Sequence, residues 1–221
     1  KLGGWEKDND YVEYRLDVPE TAPEKYTKIA EMVEKRYNLH VRKLTKKEIF
    51  EGGYGKKLFD LINVTYSHLY GFSELTDRQI DQYVKMYFPL ADLDLITVVE
   101  DGNKDNQLVG LAITVPSLTR ALQKCHRGRL FPFGWWHLLR AIKFHKTEVV
   151  DLLLIGVLPE YRSKGANSLV FADLIPRYVK YGFKWGETHV EMETNESVQS
   201  QWGPLDPTMH KKRRCYRKAI G

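Results

Sequence analysis

The strongest chemical signal in the sequence is Leu154-Ile155-Gly156-Val157-Leu158-Pro159-Glu160-Tyr161-Arg162-Ser163-Lys164-Gly165-Ala166-Asn167. An apolar strand runs into a turn and then a helix start. Glycine at such a junction lets the backbone come close to a ligand. The unpaired N–H groups of the helix N-terminus, with Arg162 and Lys164, form an anion site. The expected chemistry is a pyrophosphate cradle at the end of a central strand, made by Arg162, Ser163, Lys164, Gly165, Ala166 and Asn167. An ordinary strand-to-helix turn with a surface Arg and Lys would have the same pattern.

The pattern Val157-x-Pro159-x-Tyr161-Arg162-x-x-Gly165 resembles the coenzyme A signature of the GNAT superfamily of N-acetyltransferases. In that family the strand is followed by Gln/Arg-x-x-Gly-x-Gly/Ala. Arg162 and Gly165 match, whereas Asn167 stands where the family has Gly or Ala. The resemblance covers most of residues 39 to 220. It runs toward bacterial GNAT-like proteins that share Pro116-Ser117-Leu118, Leu130-Phe131-Pro132-Phe133-Gly134 and an ending like Arg213-Arg214-Cys215-Tyr216-Arg217. It implies an α/β (α+β) fold, a GNAT-like mixed central sheet with helices on both faces. It also implies acetyl-CoA or another acyl-CoA as co-substrate, and acyl transfer to a small-molecule or peptide amine by direct attack. The cofactor would lie along Ile155 and Val157, with its pyrophosphate at residues 162 to 167. A backbone N–H near Val157 would polarise the thioester carbonyl.

Asn195-x-x-Val198-x-x-x-Trp202 matches the spacing of a second family feature, which places Asn195 at the cofactor. The family often has a Tyr acid where Trp202 stands, and an indole cannot fill that role. Tyr216 or water is then left to protonate the thiolate, or the site is catalytically altered. An attacking amine must also lose a proton, and a carboxylate can accept it. Asp151, which alternation puts on a face with Leu153, Ile155 and Val157, resembles the acidic base of some GNAT enzymes. Glu191 and Glu193 share a face of the next strand. Asp151 and Glu193 are the preferred bases, although a solvated sheet end would carry the same residues. Two other functions fit the sequence. One is a non-catalytic domain that binds CoA or stabilises a partner; the other is a long-chain acyl or aminoacyl transferase.

The elements that must position these groups follow from periodicity. Residues 11 to 18 alternate as a strand, and Thr21-Ala22-Pro23-Glu24 has the form of a capping box before a helix. Residues 39 to 44 predict a short strand. Thr45-Lys46-Lys47-Glu48 and Thr76-Asp77-Arg78-Gln79 are further capping boxes, each leading into an apolar helical face. Strands 95–100 and 107–115 are joined by a polar turn as a hairpin. A helix is expected over 134–146, a central strand over 148–157, and a helix over 165–181 with a kink at Pro176. A strand over 187–194, a short helix from Asn195 and a strand over 211–220 complete the order. Residues 1–38 read as a strand-helix appendage and 39–221 as the GNAT-like domain. Gly4-Trp5 with Tyr14-Arg15 weakly echoes Gly203-Pro204 with Tyr216-Arg217. This suggests that residues 1–18 are the tail of a preceding GNAT-like domain.

The chain has 221 residues, 43% of them hydrophobic, and a net charge of +5. That balance suits an anionic partner as well as a solvated basic surface. Lys211-Lys212-Arg213-Arg214 fits a charged final strand, so no nucleic-acid partner is expected. No apolar run reaches the roughly 20 residues of a spanning helix, so stable membrane insertion is not expected. Two separated cysteines and no signal sequence lead to a cytoplasmic expectation. Seven scattered histidines show no metal-ligand spacing. The aromatic segment 131–144 has two readings: a helix packed on the sheet, or a cap that holds an apolar ligand or touches a membrane.

Overall fold

Where the sequence alternates apolar and polar residues, the chain is extended. The strands are β1 (Glu6–Asp17), β2 (Leu39–Arg42), β3 (Ile96–Asp101), β4 (Gln107–Pro116), β5 (Val149–Val157), β6 (Trp185–Thr188), β7 (Glu191–Met192) and β8 (Thr208–Arg217). In the computed structural model, which describes residues 3–219, they form one eight-stranded mixed sheet. The order is β2-β3-β4-β5-β6-β1, with β7 and β8 also paired to β1. The β5–β6 pair is parallel and the other pairs are antiparallel. Val98, Val99, Val109, Leu111 and Val150 are completely buried and fix the middle of the sheet as the core.

The helices are α1 (Glu24–Tyr37), α2 (Lys46–Phe50), α3 (Tyr54–Tyr66), α4 (Asp77–Tyr87), α5 (Thr119–Gln123), α6 (Gly134–Phe144), α7 (Pro159–Arg162), α8 (Ala166–Tyr181) and α9 (Glu196–Gln199). The α1 and α8 helices pack together on one face of the sheet, and α3 and α4 lie on the other. The Thr45 and Thr76 capping boxes form. The box expected at Thr21 does not: α1 begins at Glu24, with Pro23 at its N-cap and no side-chain cap. Pro23 disfavours helical backbone at Ala22, so Thr21 cannot open the helix. Pro176 lies within α8.

Three differences from the sequence reading shape the site. The first concerns β1, expected within an appendage but interior to the sheet. It pairs with β6 and β7 on one edge and with β8 on the other. Its Val12 and Leu16 are buried. The second is the strand expected over 187–194, which is broken at His189-Val190 into β6 and β7. The third is a β-bulge in β5. Leu152 pairs with Thr114 and Leu154 with Ile113, so Leu153 has no partner of its own. A bulge re-aims the residues beyond it. Leu152 packs toward Phe171 and Ile175 of α8, whereas Gly156 faces Thr65 of α3. Alternation therefore restarts at the bulge, and Asp151 does not share a face with Ile155 and Val157 as expected.

Candidate active site

The β5 and β6 strands pair from Val149–Trp185 to Leu152–Thr188 and then part. Their last link is the His189 N–H donating to the Leu152 carbonyl at 3.1 Å. Beyond it, the edge of β5 borders a cleft of about 310 Å³. Tyr66 of α3 reaches across this gap. Its hydroxyl accepts from the Ile155 N–H at 3.2 Å and donates to the Ile155 carbonyl at 3.1 Å. Burial raises the Tyr66 hydroxyl above its ordinary value. Two residues on, the Val157 carbonyl accepts from Arg162 Nε at 3.0 Å. A strand residue points its N–H and C=O to the same side, so the Val157 N–H is directed at the cleft.

The turn that follows is anchored at both ends. The Tyr161 hydroxyl donates to Asp101 Oδ2 at 2.7 Å, in full burial. Gly165 has φ +86°, and a Cβ there would meet Ile29 Cγ2 of α1 at 2.9 Å. Only glycine adopts that backbone so close to a neighbouring helix without strain. The first N–H groups of α8, at Ala166 and Asn167, have no acceptor within the helix.

Of the expected cofactor residues, Ile155, Val157, Arg162, Asn167 and Asn195 meet around the cleft. Ser163, Lys164, Gly165 and Ala166 form the turn above it without lining it. Lys164 is directed elsewhere, its Nζ lying over the rings of Tyr161 at 4.2 Å and Tyr37 at 5.5 Å. The expected catalytic residues are not brought together. Tyr216 is an exposed residue of β8, paired with Lys7 and outside the cleft lining. Glu193 is bound by Lys212 and by Lys7, which is 3.2 Å away. These hydrogen bonds hold its carboxyl below the ordinary value, and a base so stabilised accepts protons poorly. Asp151 lies before the bulge, beside Ser117. Burial raises its carboxyl while the Ser117 hydrogen bond opposes the rise.

Two other residues stand in the right places. Glu191 is buried in the cleft wall, and its Oε1 accepts from Trp202 Nε1 at 3.0 Å. Among the described residues, its Oε2 has no hydrogen-bond partner. Burial pushes the Glu191 carboxyl up to about 7, against the lowering effect of the Thr188 and Trp202 hydrogen bonds. Trp202 itself is buried against Phe171, with ring centroids 5.8 Å apart. It therefore holds the carboxyl. The alternation of residues 187–194 pairs Glu191 with Glu193 and gives no sign that only Glu191 is enclosed. His189, at the break between β6 and β7, lines the cleft and also a second cavity. Its signal in the sequence was a histidine in the middle of a strand, too common to single out.

The second cavity is a chamber of about 640 Å³ on the α3–α4 face of the sheet. Its walls include Phe59, Ile62, Phe88, Ile113, Leu153 and Leu154, so it is almost wholly apolar. Tyr66, Phe72, Leu153, Leu154 and His189 border both spaces. The bulge at Leu153 makes this junction, because it turns two consecutive leucines toward the chamber. Elsewhere, Glu13, Glu187 and His210 bring three potential metal ligands together, but Lys211 forms ion pairs with both carboxylates.

No protein-family model matches the chain. It is 22% identical over 240 residues to a bacterial ceramide synthase of Caulobacter vibrioides, covering 98% of this chain and 56% of that protein. The chain thus spans about half the length of that relative. Among solved structures, it resembles a GCN5-related N-acetyltransferase from Sphaerobacter thermophilus. The TM-score is 0.59 at 10% identity, over 97% of this chain and 53% of the other. It also resembles the GCN5-related glucosamine N-acetyltransferase region of a fungal multi-domain beta-N-acetylglucosaminidase. That TM-score is 0.58 at 12% identity, over 96% of this chain and 21% of the other. The mixed sheet, its helices on both faces and the splayed central strands are accounted for together: the chain has the fold of the GCN5-related N-acetyltransferases.

Proposed function

We propose that this domain is an N-acyltransferase that moves an acyl group from acyl-CoA to a long-chain amine, whose alkyl chain lies in the apolar chamber. The carrying observation is the chamber itself, which meets the cleft at His189 and Leu153. A polar acceptor would gain nothing from such walls, whereas each buried methylene contributes about 0.8 kcal/mol. Similarity to a ceramide synthase agrees with this reading, since a ceramide is the amide of a long-chain amine.

The donor fits the cleft. Arg162 and the open N–H groups of α8 suit a pyrophosphate. The edge of β5 offers backbone groups to an amide-bearing arm, as an added strand does. There the Tyr66 hydroxyl holds the place of a ligand on Ile155. The amine nitrogen attacks the thioester carbon, and His189 accepts the proton that the amine loses. The Val157 N–H stabilises the oxyanion. The carbon–sulfur bond then breaks, and the Glu191 carboxyl gives its proton to the sulfur. Glu191 thus does what Tyr216 was expected to do.

The test is steady-state CoA release with a series of amines and a series of acyl-CoAs, beside Arg162→Ala. Each methylene added to the amine should raise kcat/KM about fourfold until the chamber is full. Arg162→Ala should raise the KM for acyl-CoA. Equal turnover of short polar amines would overturn the acceptor assignment. A length dependence that follows only the acyl donor would give the chamber to the acyl chain instead.

A further inference from the structure

The segment from Ser117 to Thr147 contains seven Lys or Arg residues and no Asp or Glu. Arg120, Lys124, Arg127, Arg129, Arg140, Lys143 and Lys146 are all exposed. Among the described residues, none of the seven forms a salt bridge, although the basic residues of β8 are extensively paired. A run of cations without close ion pairs leaves a positive field that favours an anionic surface.

The same segment exposes its largest apolar side chains. Phe131 is 77% exposed and Phe133 71%. Trp135, Trp136 and Phe144 are exposed on α6, whose buried residues are only Gly134 and Ala141. Arg140 and Lys143 stand among these rings on the outward face. The helix does pack beside β4 through Ala141, with Leu138, Leu139 and Ile142 half-buried, but the aromatic rings are left outside that packing. Aromatic rings interleaved with cations are the composition of segments that lie in a membrane interface. The placement is also specific. Leu118 and Ile142 of this segment line the apolar chamber, as do the exposed Tyr87 and Leu90 at the end of α4, and these partly exposed walls are its lip. The segment is tied to the chamber rim by His145, which lies 2.8 Å from Asp92 and stacks on Tyr181.

We infer that residues 117–147 dock this domain on an anionic lipid bilayer, with the chamber lip turned to the membrane so that a membrane-resident substrate enters directly. The entry route rests on the function proposed above; the docking does not. Among the described residues, no helix is long and apolar enough to cross a membrane. The contact is therefore peripheral, with rings in the headgroup layer and cations against lipid phosphates. A duplex nucleic acid would satisfy the cations but not the exposed Phe131 and Phe133, and a single strand, whose bases stack on aromatic rings, is separated from a bilayer by the RNA arm of the test.

The experiment is flotation of the full chain with vesicles of phosphatidylcholine alone, or mixed with phosphatidylglycerol. Two variants accompany it: Lys124→Gln/Arg127→Gln/Arg129→Gln and Phe131→Ser/Phe133→Ser. All five positions are exposed, and circular dichroism melts confirm that the variants fold. The wild type should float with the mixed vesicles and much less with neutral ones. At about 1 kcal/mol for each cation near an anionic surface, the charge variant should bind about a hundredfold more weakly. The aromatic variant should also lose binding. Failure of the wild type to float with mixed vesicles at low salt overturns the inference. So does undiminished binding by the charge variant, or wild-type binding to RNA in place of vesicles. Turnover of detergent-dispersed amine by the same proteins is read separately. Loss of that turnover with vesicle binding intact would count against the enzyme reading alone.

Discussion

Glu191 shows how one side chain acquires its chemistry from its surroundings. Its carboxyl is enclosed by Trp202 and Thr188, and no cation lies among the causes of its shift. The unfolded chain titrates near 4.5 and the folded one near 7, so the folded state holds an extra proton between those values. Stability is then full below about pH 4.5, falls as pH rises toward 7, and is level above it. The drop is about 3 kcal/mol. Glu191→Gln keeps the acceptor for the Trp202 N–H and removes the ionisation. Urea unfolding at pH 5 and pH 8 should therefore show the variant losing less stability than the wild type over that interval. Its kcat should fall about 10²- to 10⁴-fold, while CoA affinity is retained, as expected for loss of a proton donor. Equal pH dependence in the two proteins would remove Glu191 from the proposed role.

At the scale of elements, the turn between β5 and α8 is where sequence and structure agree best. Val157 and Arg162 were legible because each answers a local demand, a buried strand end and a cation beside free amides; Gly165 was read as room for a ligand, and its left-handed backbone is what the structure adds. What supports the turn from outside was not legible. Gly165 lies against Ile29 and Val33 of α1, more than a hundred residues earlier. Gly165→Val would add a Cβ at 2.9 Å from Ile29 and strain φ +86°. It should cost about 1–3 kcal/mol and loosen CoA binding, whereas Gly182→Ala, at the exposed end of α8, should leave binding unchanged. Thermal melts and CoA titration check both. The bulge at Leu153 escaped the sequence for a related reason. Val149 to Val157 is a nearly unbroken apolar run, which suits a strand buried on both faces and hides where its parity changes. The misplacement of Asp151 comes from that hidden residue.

At the scale of the whole molecule, the far half of the sheet depends on the strand that comes first in the chain. The β1 strand separates β8 from β6 and β7 and is hydrogen-bonded to all three. Its Asp10 is buried and receives Arg214 Nε at 2.7 Å and Nη2 at 2.8 Å, with Lys7 at 3.0 Å and Lys212 at 3.3 Å. The Arg214 pair holds the Asp10 carboxyl far below its ordinary value. Its Glu13 is buried too, and pairs with Lys211 and Arg213. The basic run of residues 211–214 is thus paired with the acids of β1. The cleft wall that carries Glu191 is built on Val12 of the same strand. Deleting residues 1–18 would leave two sheet edges open and remove the buried Val12 and Leu16. Open edges of that kind associate with other chains. The deleted protein should therefore lose its cooperative melt and aggregate, and a peptide of residues 3–19 added during refolding should restore the melt. A deletion that melts like the full chain would mean that β8 can close on β6 and β7 without it. In that case the strand would be an addition to the domain, and its interior place in the sheet would have no part in holding the active site.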